Sequence, residues 1–451
     1  MDEGKEVFVL LVLPESADFI IKKIEYYGYE AYLVGGSVRD MLMGKKPHDI
    51  DITTNALPAD IKRIFEDFTV VETGIRHGTV TVLKDGIPVE ITTHRTEEGY
   101  SDGRHPDKVT FTTNITDDLS RRDFTVNSIA YNPKSGFVDP FNGKKAIENK
   151  TICCVGDPKV RFEEDALRIL RALRFSSVLG FDIESKTSEA IHESRHLLKN
   201  VSAERIYSEI SKMLCGINVR NILTEYADVI SVPIPEIGRM IGFDQKNFHH
   251  KYDLLRHTAE VVTNTPPIKH IRYAALLHDI AKPVCQSFDE DSVAHYYKHP
   301  SIGANIANEI MLRLKADNIT REKVVKLIKW HDNPIEESEQ IIKRKLRSVG
   351  KELLFDLYEL QRADTLGLAD EYHNRLPHFE KLKEITREIL QQEQCFSLKN
   401  LSINGNDVSE LGFKGKQIGK ALNFALESVI DGAENNKEVL INLIKENADS
   451  F

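Results

Sequence analysis

The segment Leu33-Val34-Gly35-Gly36-Ser37-Val38-Arg39-Asp40, followed ten residues after the arginine by Asp49-Ile50-Asp51, restricts this chain more than any other feature. Glu30 to Val34 has the side chains of a strand, and Val38 to Met43 reads as the first turns of a helix. Gly35 and Gly36 then fall in the strand-to-helix turn. Lacking Cβ atoms, they let backbone N–H groups come close to phosphate oxygens, and Arg39 is placed to neutralise those oxygens. Asp49 and Asp51 alternate with Ile50 and Ile52, so on a strand both carboxylates share one face while the isoleucines enter the core. Two acids on one face repel unless a cation lies between them, and Mg2+ completed by triphosphate oxygens satisfies that geometry.

With 451 residues the chain exceeds a single core and predicts several domains. Sixty Lys and Arg against 70 Asp and Glu leave a net charge of −10, so any nucleic-acid contact must be local. Lys and Arg outnumber carboxylates between Leu119 and Phe175. Five cysteines without a disulfide or Cys-x-x-Cys framework fit a reducing, cytoplasmic setting. The apolar run Val7 to Leu13 is too short to span a membrane and reads as an opening strand or the staple of a helix starting near Pro14.

The first 150 or so residues alternate helices with β-rich runs at Thr79–Leu83, Val89–Thr93 and Val109–Thr113, then a helical stretch around Arg121 to Tyr131. Residues 157 to about 225 read as helical, and 245 to 370 as helical and histidine-rich. The expected fold is α+β: a mixed-sheet head at 1–155, an all-α neck at 156–240, a helical domain at 241–375 and a helical tail at 376–451.

The glycine turn and Asp-x-Asp pair together resemble the class II CCA-adding tRNA nucleotidyltransferases, a branch of the DNA polymerase β-like superfamily that also contains bacterial poly(A) polymerases. The resemblance implies a polymerase β-like head, Mg2+ on Asp49 and Asp51, CTP and ATP as substrates and tRNA as partner. It makes Glu90, on the strand Val89–Thr93, the match for a third carboxylate that activates the attacking 3′-hydroxyl. The other reading of Glu90 is a solvated strand residue. The charged, glycine-punctuated segment Arg95–Asp107 resembles the family's flexible loop, and its presence favours addition of all three nucleotides. Arg121-Arg122-Asp123, with Asn127, matches the next motif: Arg122 would reach the triphosphate or ribose, and Asp123 and Asn127 would orient the ribose.

Glu164-Asp165-Ala166-Leu167-Arg168 bears on substrate choice. Asp165 and Arg168, read as i and i+3 on one helix, would hold each other and together mimic the pairing edge of a base. Cytosine and adenine each offer an amino donor beside a ring-nitrogen acceptor, so both satisfy a carboxylate beside a guanidinium. Uracil and guanine present opposed groups. Arg171 and Arg174 continue the row toward phosphates or primer. Glu204, Arg205 and Glu209 match a further motif and read as bracing for the neck.

A second constellation is independent: His257, His278, Asp279 and Asp364, accompanied by Lys282, His299 and His331. Histidines and carboxylates from separate helices suit a transition metal or a hydrolytic two-metal site. The pattern resembles an HD-superfamily phosphohydrolase, implying a divalent metal of unspecified identity and action on phosphates or cyclic phosphates at RNA ends. The segment Leu401 to Gly419 resembles the family's RNA-binding tail. Within the class, a CC-adder, an A-adder or a poly(A) polymerase shares most of these motifs. From another class, an HD phosphohydrolase with an RNA- or nucleotide-sensing head fits the second constellation.

Overall fold

The computed structural model describes residues 11–72, 74–75, 78–246 and 251–451, and the chain divides into two compact units, Met1–Pro235 and Glu236–Phe451. Residues 7–10 of the opening apolar run lie outside the described part, while Leu11 and Leu13 pack against the head core.

In the first unit, α1 (Glu15–Tyr26) follows Pro14 and buries Ile20, Ile21 and Ile24 against the sheet. Next come β1 (Ala31–Val34), α2 (Gly36–Leu42), β2 (Ile50–Thr54), α3 (Pro58–Ile64), β3 (Thr69–Val71), β4 (Thr79–Lys84) and β5 (Ile87–Thr93). Asp85 and Gly86 join β4 to β5 in a two-residue turn with φ of 52° and 79°, positive values that this short hairpin link demands. After β6 (Arg95–Glu98), β7 (Lys108–Phe111) and α4 (Ile115–Ser120), β8 (Ala130–Asn132) and β9 (Gly136–Val138) complete a seven-stranded sheet of order β3-β4-β5-β2-β1-β8-β9. Within it β2 and β5 run parallel and every other pairing is antiparallel. Ile50, Ile52, Val89 and Ile91 fill the core from one face of the parallel pair.

Two expectations change here. Arg95–Asp107 is not a shapeless loop: β6 and β7 form a separate antiparallel ribbon, pairing Arg95 with Phe111 and Glu98 with Lys108, and only its tip is irregular. The stretch from Arg121 is not helical either, because α4 ends at Ser120 and a single 3₁₀ turn, Thr125–Asn127, leads into β8. Phe124 and Val126 are fully buried, Phe124 against Phe175, and tertiary burial overrides the local helical pattern.

The unit ends in α5 (Gly143–Glu148), β10 (Thr151–Ile152), α6 (Pro158–Glu164), α7 (Leu167–Leu179), β11 (Asp182–Ile183), α8 (Ser185–Ser194), α9 (Ala203–Leu214), α10 (Val219–Glu225) and α11 (Ala227–Ile230). The side chain of Asp157 caps α6, and Gly180 (φ 72°) closes α7. The apolar face of α9, with Ile206, Ile210 and Met213 buried, packs on α7.

The second unit is helical: α12 (Leu254–Asn264), α13 (Lys269–Leu277), α14 (Lys282–Cys285), a β12–β13 ribbon (Ser287–Phe288 and Ala294–His295), α15 (His299–Arg313), α16 (Asn318–Trp330), α17 (Glu339–Val349), α18 (Lys351–Gly367) and α19 (Leu376–Gln391). Then α20 (Gly405–Glu410) starts from a reciprocal Asn404–Asp407 cap, and α21 (Lys416–Ile430) and α22 (Lys437–Glu446) close a small core around Ile403, Leu440 and Ile444. Arg344 ties α17 to Glu427 of α21 and to Asp431 just beyond its end. Among the described residues no helix is long and apolar enough to cross a membrane.

Ile91 is fully buried at the centre of the parallel pair. Replacing it with Ala is expected to destabilise the head by about 2–5 kcal/mol, seen as a lower urea midpoint for its unfolding transition.

Candidate functional sites in the two units

β1 delivers the chain to Gly35, whose φ of 74° is open to glycine and whose N–H donates to the Ile129 carbonyl at 3.2 Å. A Cβ there would lie 3.0 Å from Nη1 of Arg122, so the turn and this guanidinium touch. Ser37, not singled out by its type in the sequence, ties the turn to the acids: its hydroxyl donates to the Asp49 carbonyl at 2.8 Å and accepts from the Asp51 N–H at 3.4 Å. Arg39 is less open than expected. Its guanidinium is buried, donating to Asn127 Oδ1 at 2.7 Å and to Asp40 Oδ1 at 2.7 and 2.9 Å.

Asp51 lies on β2 with Asp49 just before it, while Ile50 and Ile52 are buried. Asp51 is the register partner of Glu90 across the parallel pair, so their side chains project from one face of the sheet. Burial first, then Glu90 and more weakly Asp49, push the Asp51 carboxyl up to about 6 against the pull of Arg122. A site that drives a carboxylate toward protonation beside two other acids fits a divalent cation, which removes the same repulsion. Among the described residues, potential ligand atoms gathered in threes within 4.8 Å lie in the second unit.

Next to the glycine turn, Arg121 pairs with Glu97 at 3.0 Å and with the fully buried Asp118 at 2.7 Å, and Arg122 reaches Asp118 at 3.4 Å. Asp123 is enclosed, accepting from the Phe124 N–H at 2.8 Å, from Asn127 at 3.3 Å and from Arg171 at 2.5 and 2.8 Å. Arg39, Asn127, Asp123 and Arg171 thus form one chain of hydrogen bonds linking the glycine turn to α7. Arg174 packs 4.0 Å from the Phe175 ring centroid and pairs with Glu209 at 2.7 Å. The Arg39 and Arg171 guanidiniums each lie 5.4 Å from the same ring. Phe175 organises three cations, and nothing in its local sequence distinguished it from an ordinary core residue.

The pairing expected between Asp165 and Arg168 is not made. Asp165 is not helical; it sits in extended conformation between α6 and α7 (φ −145°, ψ 103°). Its Oδ1 accepts from the Leu167 N–H at 3.1 Å and its Oδ2 from Arg205 at 2.7 Å. Arg168, in the first turn of α7, turns instead to Glu164 and to the Arg161 carbonyl at 3.2 Å. The helix break reverses the geometry that i, i+3 spacing implied. Asp165 and Arg168 nevertheless line one cleft of about 600 Å3 with Glu90, Arg95, Glu97, Tyr100 and Arg121. That volume suits a nucleotide-sized ligand. The ribbon lends it Tyr100, whose hydroxyl donates to Glu97 at 2.7 Å.

The second unit gathers the other seven residues. His257 Nε2 lies 3.0 Å from Asp364 and 3.6 Å from Asp279, and His278 Nε2 lies 3.1 Å from Asp279 and 3.6 Å from Asp364. His299 and His331 approach the other Asp279 oxygen at 3.4 and 3.7 Å, with their Nε2 atoms 3.3 Å apart. Expected as accessories, they also complete a second group with the geometry to hold an ion, since two such groups share Asp279: His257, His278 and Asp279, and Asp279, His299 and His331. In each histidine Nδ1 faces a backbone carbonyl, of Gly367, Ala275, Tyr296 and Ile328 respectively, at 2.7–3.2 Å. Nδ1–H donation of this kind aims Nε2 lone pairs inward, the usual way a protein orients imidazole ligands. Burial disfavours charge on His278, yet Asp279 and Asp364 override it and raise it to about 10. A proton is thereby drawn to where a cation fits. Lys282 Nζ, 2.7 Å from Asp279, is held by Gln245 at 2.9 Å.

A glycine turn over neighbouring carboxylates on a mixed sheet defines a nucleotidyltransferase head, and the histidine–aspartate cluster an HD body. Family models agree: the poly(A) polymerase head domain matches residues 31–153, the probable RNA- and SrmB-binding site of polymerase A matches 180–228, and the HD domain matches 252–375. The chain is 49% identical to a CCA-adding enzyme of Lactobacillus helveticus over 49% of its own length and 55% of the relative's. With that of Leuconostoc citreum it shares 44% identity over 57% and 60% of the two chains. The chain thus spans little more than half the length of these curated relatives. The crystal structure of the Bacillus stearothermophilus CCA-adding enzyme in complex with CTP superposes with a TM-score of 0.74 at 29% identity, covering 97% of this chain and 99% of that one. By these matches the chain carries a poly(A) polymerase-type head and an HD domain, and it is similar to the CCA-adding enzymes. The CCA-adding enzymes it resembles are divalent-metal-dependent nucleotidyltransferases.

Because Asp51 is raised in the folded state, its contribution to stability is fully present below the unfolded value of 3.8 and is lost as pH rises through about 6. Asp51→Asn is therefore expected to stabilise the metal-chelated protein at pH 8 by roughly 1–3 kcal/mol and to leave it unchanged near pH 4, measured by chemical denaturation at both pH values.

Proposed function

We propose that this chain adds C, C and A to the 3′ end of tRNA from CTP and ATP without a nucleic-acid template. The observation that carries the reading is a single cleft that holds Glu90, the register partner of Asp51, together with Asp165 and Arg168. Reaction chemistry and base choice share that space. The names of the curated relatives and the CTP bound to the B. stearothermophilus enzyme support it.

Asp49 and Asp51 would hold two Mg2+ ions, which when bound lower the pKa of the attacking hydroxyl and stabilise charge on departing pyrophosphate. Glu90 receives the proton of the 3′-hydroxyl as that oxygen attacks the α-phosphate in line. Arg122, beside the glycine turn, neutralises the triphosphate, and the Arg39–Asn127–Asp123–Arg171 chain holds the floor on which it rests. Asp165 accepts a hydrogen bond from the amino group of C or A while Arg168 donates one to the adjacent ring nitrogen. In this reading 1–155 is the catalytic head, 156–240 the selecting neck, 241–375 the HD domain and 376–451 the tRNA-binding tail, in a cytoplasmic enzyme.

The doubled ligand cluster favours a second activity in the same chain, a metal-dependent phosphohydrolase acting on phosphates or cyclic phosphates at RNA 3′ ends. In an Asp49→Ala/Asp51→Ala background, calorimetric titration of the full chain with Mn2+ is expected to show two equivalents bound. His299→Ala combined with His331→Ala should leave one, and Asp279→Ala none.

The test of the main reading is product length on a tRNA transcript lacking its 3′ CCA, with Mg2+ and CTP, ATP or both. Two additions from CTP and a third only with ATP present are expected, and Asp49→Ala should lower incorporation by at least about a thousand-fold. Arrest after CTP would make it a CC-adder, ATP addition solely to a CC end an A-adder, and an open adenylate ladder a poly(A) polymerase. No extension, with hydrolysis retained, would make the HD domain the main activity and the head a sensor.

A further inference from the structure

We propose that Arg205 on α9 is a positioning residue for nucleotide choice, acting through Asp165; the inference rests on the reading of Asp165 and Arg168 as the base-recognising pair. The sequence marks Arg205 as a brace for the neck, and the structure gives the brace a particular object.

Asp165 lies in the extended junction between α6 and α7, so no helical backbone confines its side chain to one direction. Two contacts do so instead. Its Oδ1 caps α7 through the Leu167 N–H at 3.1 Å, and its Oδ2 takes the Arg205 Nη2 at 2.7 Å. A carboxylate fixed at both oxygens has a defined plane, and each oxygen keeps a lone pair for a further donor. The amino group of C or A meets an acceptor already aimed. Arg168 is fixed differently, by Glu164 and the Arg161 carbonyl from α6 and by the Arg121 carbonyl at 3.4 Å. Among the described residues, Arg205 is the guanidinium that reaches Asp165 from another element.

The same helix carries a natural control. Glu209, one turn after Arg205, pairs with Arg174 at 2.7 Å, and Arg174 packs on Phe175 beside Arg39 and Arg171. Thus α9 backs the base-reading group through Arg205 and the cation cluster through Glu209. Base choice depends on rejecting opposed groups, and rejection requires that Asp165 be unable to turn away from a uracil or guanine carbonyl. Without Arg205, the carboxylate keeps only its helix-capping contact and can rotate. Discrimination falls before turnover of the correct nucleotide does. Without Glu209, the cation cluster loosens and all nucleotides suffer alike.

Steady-state kcat and KM for single-nucleotide incorporation of CTP, ATP, UTP and GTP, on transcripts ending before and after CC, test this in the full chain. Arg205→Met is expected to lower the CTP/UTP and ATP/GTP ratios of kcat/KM by about ten-fold or more, with kcat for CTP changed less than the ratio. Arg205→Lys should restore part of the ratio, because an ammonium keeps the charge without the fork. Glu209→Gln should lower kcat/KM for all four nucleotides with the ratios intact. Equal losses for all four in Arg205→Met, or a Lys variant no better than Met, would overturn the proposal. If Arg205→Met does not fold, the Lys variant decides, since an unchanged ratio there overturns it and a partial fall supports it. A wild-type chain that adds neither C nor A, or adds all four equally, would overturn the underlying reading itself.

Discussion

The head depends on the parallel pairing of β2 with β5. That pairing places Asp51 opposite Glu90 while Ile50, Ile52, Val89 and Ile91 seal the other face, so hydrophobic burial holds like charges together. The cost is visible in Asp51, whose carboxyl is raised to about 6 by burial and by its acidic neighbours. A cation held there would relieve this repulsion, and the Gly35 turn lies against Arg122, whose charge also eases it. The chemistry is therefore written into a packing problem, since the sheet cannot form without bringing the acids together.

The second unit solves a similar problem with the opposite means. Four histidines from separate helices or their ends converge on Asp279, and each ring is oriented by a backbone carbonyl at a helix end or turn. Helix ends have carbonyls to spare, so they serve as ligand supports without disturbing the helices themselves. The two sites use different geometries: a set of carboxylates on one face of a sheet, and a closed cluster of imidazoles around one shared acid.

Between the head sheet and the neck, Arg39, Asn127, Asp123 and Arg171 are joined in series, and α9 closes the arrangement from behind through Arg205 and Glu209. Residues that the sequence presented as separate motifs are thus joined, Arg39 to Arg171 by hydrogen bonds and α9 to the neck by ion pairs. Their charges are largely satisfied within the protein, which limits how many of the arginines are free to meet phosphate. Arg122, beside Gly35, is placed differently, since its charge acts on Asp51.

Local patterns determined much by themselves. The turn at Gly35, the alternation of Asp49 and Asp51 with isoleucines, the helix after Pro14 and the strand around Glu90 follow from steric freedom and from period-two burial, both properties of neighbouring residues. The histidine–aspartate set was also legible, because its residue types have few other uses together. Tertiary structure alone decided the partners. Asp165 and Arg168 read as a helical pair, yet a break between α6 and α7 sends one to Arg205 and the other to Glu164. The stretch from Arg121 read as helix and became a turn and a strand, because the sheet had an edge to fill at β1. His299 and His331 gathered with Asp279 into a second group able to hold an ion, and Ser37, Tyr100, Asp118 and Phe175 gained contacts no local signal announced. Spacing along a chain specifies which side chains share a face, whereas ion pairs are chosen by whichever counter-charge packing brings within reach.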